Sequence, residues 1–286
     1  MAAQRSIVVA PSNEAQRAAW DGDEGAYWAA HPDHFDRSVG AYDRHLWAAA
    51  GIRPTDQVLD VGCGTGQTTR DAARLAIEGS ALGIDLSSEM LDVARRRAAD
   101  DGLRNASFVQ GDAQVHPFEP AAVDVIISRT GAMFFGDLDE GFANLAAALV
   151  PGGRLALVVW QPLAANEWLR EIITALAAGR DLPGPSPDGP GPFSLSDPRR
   201  AQELLGGAGF TDIAVQGHEE AMWFGTDADD GHRLLLGLNG WMLEGLDDAG
   251  RHQASAALHD TLAAHETPEG VLLGSAAWTI SARRRG

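Results

Sequence analysis

The sequence predicts an α/β fold built on a doubly wound, mostly parallel sheet, and three observations carry the prediction. Short apolar runs rich in Val, Ile and Leu recur at 57–61, 81–85, 106–110, 123–128 and 153–160. Most of them lack the strict alternation of a half-exposed strand, as strands covered on both faces do. Helix-like segments lie between them, and strand alternating with helix feeds right-handed crossovers into a parallel sheet. The first run also leads directly into a glycine-packed turn, VLDVGCGTGQTT at 58–69, the arrangement that brings a ligand close to the backbone at the carboxyl end of a strand.

The elements follow in order. Residues 57–61 (QVLDV) form the first strand and 81–85 (ALGID) the second. The helix over 88–100 has Ser87 and Ser88 to cap it and Glu89 in its first turn; Leu91, Ala94 and Ala98 make its apolar face, and Asp101-Gly102 stops it. Strands follow at 106–110 and 123–128. The helix over 137–149 places Leu138, Phe142, Leu145 and Leu149 on one stripe, and Pro151-Gly152-Gly153 turns the chain into a strand at 153–160. The stretch DLPGPSPDGPGP at 181–192, with five prolines and three glycines, is a loop. Helix returns over 198–208, a strand over 210–216, helix in two pieces over 227–266, and a long strand over 270–283. The expected organisation is an N-terminal helical cap at 1–50, a core at 51–217 and 267–286, and a helical lid inserted at 218–266.

Composition bounds the partners. A chain of 286 residues, 45% hydrophobic, can bury a sizeable core. A net charge of -18 argues against a protein that tracks nucleic-acid phosphates. The lone Cys63 leaves no intrachain disulfide and no multi-cysteine zinc site, and no H-E-x-x-H cluster is present, so no metal is expected. The apolar patch Ile7 to Ala10 is too short for a signal-peptide core, and no run reaches the roughly 20 apolar residues of a membrane span. A soluble, cytoplasmic protein is expected, without nucleic-acid or membrane partners.

Three ligand classes compete for the turn Gly62-Cys63-Gly64-Thr65-Gly66. A triphosphate loop ends in Lys followed by Ser or Thr, and no lysine is present. A dinucleotide fingerprint is G-x-G-x-x-G, whereas this turn reads G-x-G-x-G with Gln67 next. Asp60, just before the glycines, would repel a pyrophosphate and suit an amine; its alternative role is to order the loop or cap the next helix. Asp85 ends the second strand, 23 residues beyond Gly62, where an acidic residue can accept both ribose hydroxyls, or else cap the following helix. A ligand with a ribose and an amine but no phosphate fits, and S-adenosylmethionine is such a ligand.

At this point the chain resembles the class I S-adenosylmethionine-dependent methyltransferases. VLDVGCGTG resembles the family's first motif, GIDLSSEML (83–91) its acidic second-strand motif and VQGDAQ (109–114) the adenine-holding segment. FEPAAVDVIISRTGAMFF (118–135) and LVPGGRLALVVW (149–160) resemble the fourth- and fifth-strand motifs. The likeness runs over roughly residues 40–160, nearest to bacterial small-molecule enzymes related to quinone and natural-product methyltransferases. It implies a Rossmann-like, seven-stranded sheet whose last strand is antiparallel. It also implies that Gly62, Gly64, Thr65 and Gly66 surround the methionyl part with Asp60 nearby. Asp85 would bind the ribose, Leu86 and Met90 would flank the adenine, Asp112 and Ala113 would hold it, and Ser128 would sit near the sulfonium. Cys63 is read as a small packing residue.

Methyl transfer from an activated sulfonium needs alignment and a dry site, and a base only when the acceptor is poorly acidic. His31, His34, His116 and His218 are candidates for a base, each with an exposed or capping role as the alternative. Trp28, Phe134, Trp160, Trp223 and Trp241, with Arg129, are expected to line an apolar acceptor pocket under the lid. Arg129 either anchors an acidic acceptor or pairs with carboxylates; the lid helices either close the pocket or make a homodimer contact. The resemblance sets aside arsenite methylation, which needs several cysteines, cytosine-5 methylation, which needs a Pro-Cys nucleophile, and base amino-methylation, whose motif is replaced by Ser128-Arg129-Thr130-Gly131. The expected activity is methylation of a small, apolar or aromatic metabolite at oxygen, nitrogen or carbon. The alternatives are a protein-modifying methyltransferase, a non-catalytic S-adenosylmethionine-binding protein and a dinucleotide oxidoreductase.

Overall fold

Four short helices open the chain: α1 (Glu14–Trp20), α2 (Asp23–Ala30), α3 (Pro32–Val39) and α4 (Asp43–Ala50). The computed structural model describes residues 7–182 and 189–286; residues 1–6 of the expected cap and 183–188 of the Pro/Gly-rich loop lie outside it. The sheet region follows, with β1 (Gln57–Val61), α5 (Gln67–Leu75), β2 (Ser80–Asp85), α6 (Ser88–Asp100), β3 (Ala106–Gln110), β4 (Val123–Arg129), α7 (Leu138–Ala148) and β5 (Leu149–Trp160). After it come α8 (Glu167–Ala177), α9 (Pro198–Gly207), β6 (Phe210–Gly225), α10 (Ala228–Asn239), α11 (Asp248–Ala264), β7 (Glu266–Thr267) and β8 (Gly270–Arg284).

The strand order is β3-β2-β1-β4-β5-β8-β6, with the two-residue β7 paired to β8 off the main path. The pairs β1–β2, β2–β3, β1–β4 and β4–β5 are parallel, and β8 runs antiparallel to β5 and β6. The expected mixed sheet with an antiparallel last strand is therefore present. The chain winds outward from β1 to β3, then returns to place β4 on the other side of β1. That reversal opens a crevice at the carboxyl ends of β1 and β4, where open α/β sheets bind ligands. Leu59, Ile126, Ile127 and Leu157 are fully buried on the central strands, which explains why those runs are apolar without alternation.

Two elements differ from the sequence reading. β6 does not stop near residue 216 but continues to Gly225, paired with β8 throughout, so residues 218–225 belong to the sheet and not to the excursion. The charges of His218-Glu219-Glu220 disguise it: β6 is an edge strand, and an edge strand carries charged side chains readily. α8 covers a stretch that the periodic reading left unassigned.

The N-terminal helices are tied over the carboxyl face. Tyr27 in α2 donates to the Leu234 carbonyl in α10 at 2.8 Å, and Arg97 in α6 pairs with Asp33 and Asp36 of α3. Among the described residues, no helix is long and apolar enough to cross a membrane.

Candidate active site

The glycine turn is shaped by backbone that only glycine adopts freely. Gly62, Gly64 and Gly66 have φ of 67°, 54° and 80°, all left-handed. The amides of Gly62 and Cys63 both donate to the Ile84 carbonyl, which anchors the turn to β2. Gly62 also lies against Gly131, beyond β4. A Cβ on Gly62 would stand 2.8 Å from the Gly131 Cα, and a Cβ on Gly131 would stand 2.7 Å from the Val61 carbonyl oxygen. The two turns thus meet backbone to backbone in the crevice, and neither has a flexible side chain that can yield. Gly131→Ala is expected to cost about 1–3 kcal/mol of stability by overpacking. Urea unfolding checks this, and an unchanged midpoint and slope would show that the two turns separate easily.

Gly66 serves differently from expectation. It stands at the start of α5, and a Cβ there would meet Ala94 at 2.7 Å and the Phe108 ring at 2.8 Å. It packs α5 against α6 and β3 and is not part of the cavity wall.

A cavity of about 750 Å³ occupies the crevice. Gly62, Gly64, Thr65, Asp85, Leu86, Met90, Asp112 and Ala113 line it, so most of the expected cofactor residues come together. The Asp85 carboxylate is organised by backbone: Oδ2 accepts from Gly64 N at 2.8 Å and Oδ1 from Ser87 N at 2.9 Å. Burial raises its pKa, while those amide bonds pull the other way. Asp112 accepts from Ala10 N and Asn13 Nδ2 of the N-terminal segment and from its own neighbour Gln114 N. The segment ahead of α1 is therefore pinned onto this part of the cavity wall. The Cys63 thiol is pushed well up by burial and stays protonated, in keeping with a packing role.

Two further expected members are absent from the wall. Asp60 is fully buried behind the turn, where Oδ2 accepts from the hydroxyls of Thr68 at 2.7 Å and Thr69 at 2.6 Å. It orders the first turn of α5, the alternative role that its position left open, and does not reach the cavity. Ser128 is likewise buried; its hydroxyl donates to the Val61 carbonyl and accepts from Ala132 N. It holds the β4 turn together, and the wall beside it is formed by Arg129, Thr130 and Gly131.

Much of the remaining cavity wall is aromatic and aliphatic. Trp28, Phe134, Trp160 and Trp241 are on the cavity wall, with Trp241 62% exposed. Trp223 does not line it. Successive side chains of a strand point to opposite faces, so Met222 and Phe224 face the cavity while Trp223 faces α3. There its ring lies 3.9 Å from the Arg37 guanidinium.

The histidine candidates also fall outside. His31 donates to the Tyr27 carbonyl and His34 to the Phe224 carbonyl, and His218 stacks on His45 with centroids 3.6 Å apart. Neither these three nor His116 lines the cavity. Burial lowers the pKa of His34, His116 and His218, so each favours its neutral form. Arg129 is on the wall, but its guanidinium is committed to Asp43 at 2.7 Å, Gln67 at 2.8 Å and Asp36 at 3.5 Å. It pairs with carboxylates and offers no free cation.

Sequence reading missed Glu24 and Asp36, carboxylates on the wall whose pKa burial raises. Glu24 was findable: it precedes Trp28 by one helical turn in α2 and shares its face. Among the described residues, no cluster of His, Cys, Asp and Glu could hold a metal ion.

Residues 58–153 match the family described as a methyltransferase domain. Over 111 residues the chain is 39% identical to the ubiquinone/menaquinone biosynthesis C-methyltransferase UbiE of Teredinibacter turnerae, covering 38% of this chain and 45% of that one. Over 134 residues it is 33% identical to the aklanonic acid methyltransferase DauC of a Streptomyces species, covering 43% and 61%. The chain thus spans about half the length of the curated relatives it matches. The fold is similar to that of phosphoethanolamine N-methyltransferase 2 of Haemonchus contortus, solved with S-adenosyl-L-methionine, with a TM-score of 0.58, 18% identity, and coverage of 97% of this chain and 61% of that one. The sequence likeness to methyltransferases thus centres on residues 58–153, and the fold of the chain is that of the solved methyltransferases it is similar to.

Proposed function

We propose that the protein transfers a methyl group from S-adenosylmethionine to an oxygen, nitrogen or carbon of a small, apolar or aromatic metabolite. The observation that carries this reading is one cavity that Asp85, the side-chain-free glycine turn and an aromatic wall line together. Its volume of about 750 Å³ falls within the roughly 300–1,000 Å³ of small-molecule sites.

The residues present fit the cofactor. Asp85 still has lone pairs free for two hydroxyls after accepting two amides. Gly62 and Gly64 let the methionyl part approach the backbone, and Leu86, Met90 and Ala113 give the base an apolar seat beside Asp112. When bound, the cofactor supplies a methyl group already activated on a sulfonium. The chain's own residues hold the acceptor in line and keep water out. Within this reading the enzyme is cytoplasmic, needs no metal, and acts on a free small molecule without nucleic acid or membrane.

Calorimetry with S-adenosylmethionine, S-adenosylhomocysteine and nicotinamide dinucleotides tests the proposal. Both sulfur ligands should bind. Dinucleotide binding with no response to S-adenosylhomocysteine would overturn it. A screen of quinones, phenols, amines and glycosides for methyl transfer then separates a small-molecule enzyme from a protein-modifying one or a non-catalytic binding protein.

A further inference from the structure

Asp112 follows β3 on the cavity wall, at the position where the family resemblance has a carboxylate accept from the adenine amino group. Its oxygens are already engaged by the chain. Oδ2 accepts from Ala10 N at 3.0 Å, and Oδ1 accepts from Asn13 Nδ2 at 2.9 Å and from Gln114 N at 3.0 Å. The residue is 1% exposed, so these partners cover it.

The donors Ala10 and Asn13 belong to one short strap ahead of α1, closed on itself by Asn13 N donating to the Ala10 carbonyl at 2.8 Å. Asn13, 2% exposed and also on the cavity wall, bridges two loops: Nδ2 donates to Asp112 after β3, and Oδ1 accepts from Gly136 N after β4 at 3.1 Å. Ser12 Oγ accepts from Gln114 Nε2 at 2.9 Å, and Gln114 in turn accepts from Asp137 N at 2.9 Å. A Cβ on Gly136 would stand 2.1 Å from the Ser12 carbonyl oxygen, so the strap and the loop after β4 meet backbone to backbone. The strap runs on into α1, which carries Trp20 onto the cavity wall. A few polar contacts make this clamp, each with a modest net contribution. Such a segment can open locally without unfolding the core.

We propose that Asp112 is a positioning residue that acts on the cofactor through this strap. It holds residues 10–13 closed beside the seat of the base, and cofactor release waits for the strap to detach. Recognition of the adenine amino group does not depend on this carboxylate. The proposal rests on the reading of this cavity as an S-adenosylmethionine site.

The test compares S-adenosylhomocysteine with S-inosylhomocysteine, which carries an oxygen in place of the amino group. Asn13→Ala removes both bonds of the bridge and leaves the carboxylate in place. It should raise the dissociation rate of both ligands about tenfold, the size of one hydrogen bond to a charged group. Their affinities should fall together as the strap-closed fraction falls. Asp112→Ala should act in the same way, with the affinity ratio of the two ligands as in the wild type. The double variant should lose no more than Asp112→Ala alone. Should Asp112→Ala fold poorly, hydrogen exchange of the wild type gives the answer: saturating S-adenosylhomocysteine should slow the Ala10 amide about tenfold or more. Wild-type dissociation rates in Asn13→Ala overturn the proposal. So does a ligand preference lost in Asp112→Ala but kept in Asn13→Ala, or an Ala10 amide whose exchange ignores the ligand. Failure of the wild type to bind S-adenosylhomocysteine at all would instead defeat the methyltransferase reading beneath it.

Discussion

Replacing Asp85 with alanine is expected to weaken binding of S-adenosylmethionine and S-adenosylhomocysteine by roughly ten- to a hundredfold. The carboxylate ends β2 on the cavity wall and is oriented by Gly64 N and Ser87 N. A hydrogen bond to a charged group contributes about 1.5–3 kcal/mol, and each 1.4 kcal/mol is about tenfold in affinity. Alanine removes the acceptor for the ribose hydroxyls and also frees the Gly64 amide that shapes the glycine turn. Asp85→Asn keeps part of the geometry and should lose less. Because burial raises the pKa of this acid, wild-type affinity should fall as pH drops into the range where the carboxyl takes up its proton. Calorimetric titration, paired with a thermal melt to show that the variant is folded, checks both statements. An alanine variant with wild-type affinity would remove Asp85 from the cofactor site.

The fold was legible because its signals are local and periodic. Apolar runs without alternation, capped helices and the spacing of three glycines all report on short stretches of chain, and β1 to β4 lie where those signals put them, while β5 begins at Leu149, four residues ahead of the expected start. The facing of individual side chains was less legible. Asp60 and Ser128 sit inside the expected motifs, but a motif does not say which way a side chain points, and both turn behind the wall, while the backbone of Gly66 packs against Ala94 and Phe108. Trp223 was misplaced because the charges at 218–220 hid the continuation of β6, and with it the alternation that sends Met222 and Phe224 inward. The contact between Gly62 and Gly131 joins turns far apart in the chain, so no local pattern announces it.

Replacing Asp60 with asparagine is expected to change how stability depends on pH. The carboxyl is fully buried, and burial raises its pKa from 3.8 to about 6 against the pull of the Thr68 and Thr69 hydroxyls. A raised acid pKa means that the folded state holds the proton more tightly than the unfolded chain. The stabilisation is therefore present at low pH and is lost as pH rises from about 4 to about 6. Above that window the protein carries the full cost of a buried charge, on the order of 3 kcal/mol at about 1.4 kcal/mol per pKa unit. Asparagine stays neutral, and its side-chain oxygen can still accept from a threonine hydroxyl. The stability difference between Asp60→Asn and the wild type should thus move in favour of the variant by up to about 3 kcal/mol between about pH 4 and pH 7. Taking the difference removes the contributions of Asp36 and Glu24, whose pKa burial raises, and most of that of Asp85, whose charge acts on Asp60. Asp60→Ala supplies the contrast, since it strands two buried hydroxyls at about 1–3 kcal/mol each and should destabilise across the whole range. Urea unfolding at a series of pH values decides the matter. Parallel stability curves for the wild type and Asp60→Asn would mean that this carboxylate is solvated or already paired in the folded protein.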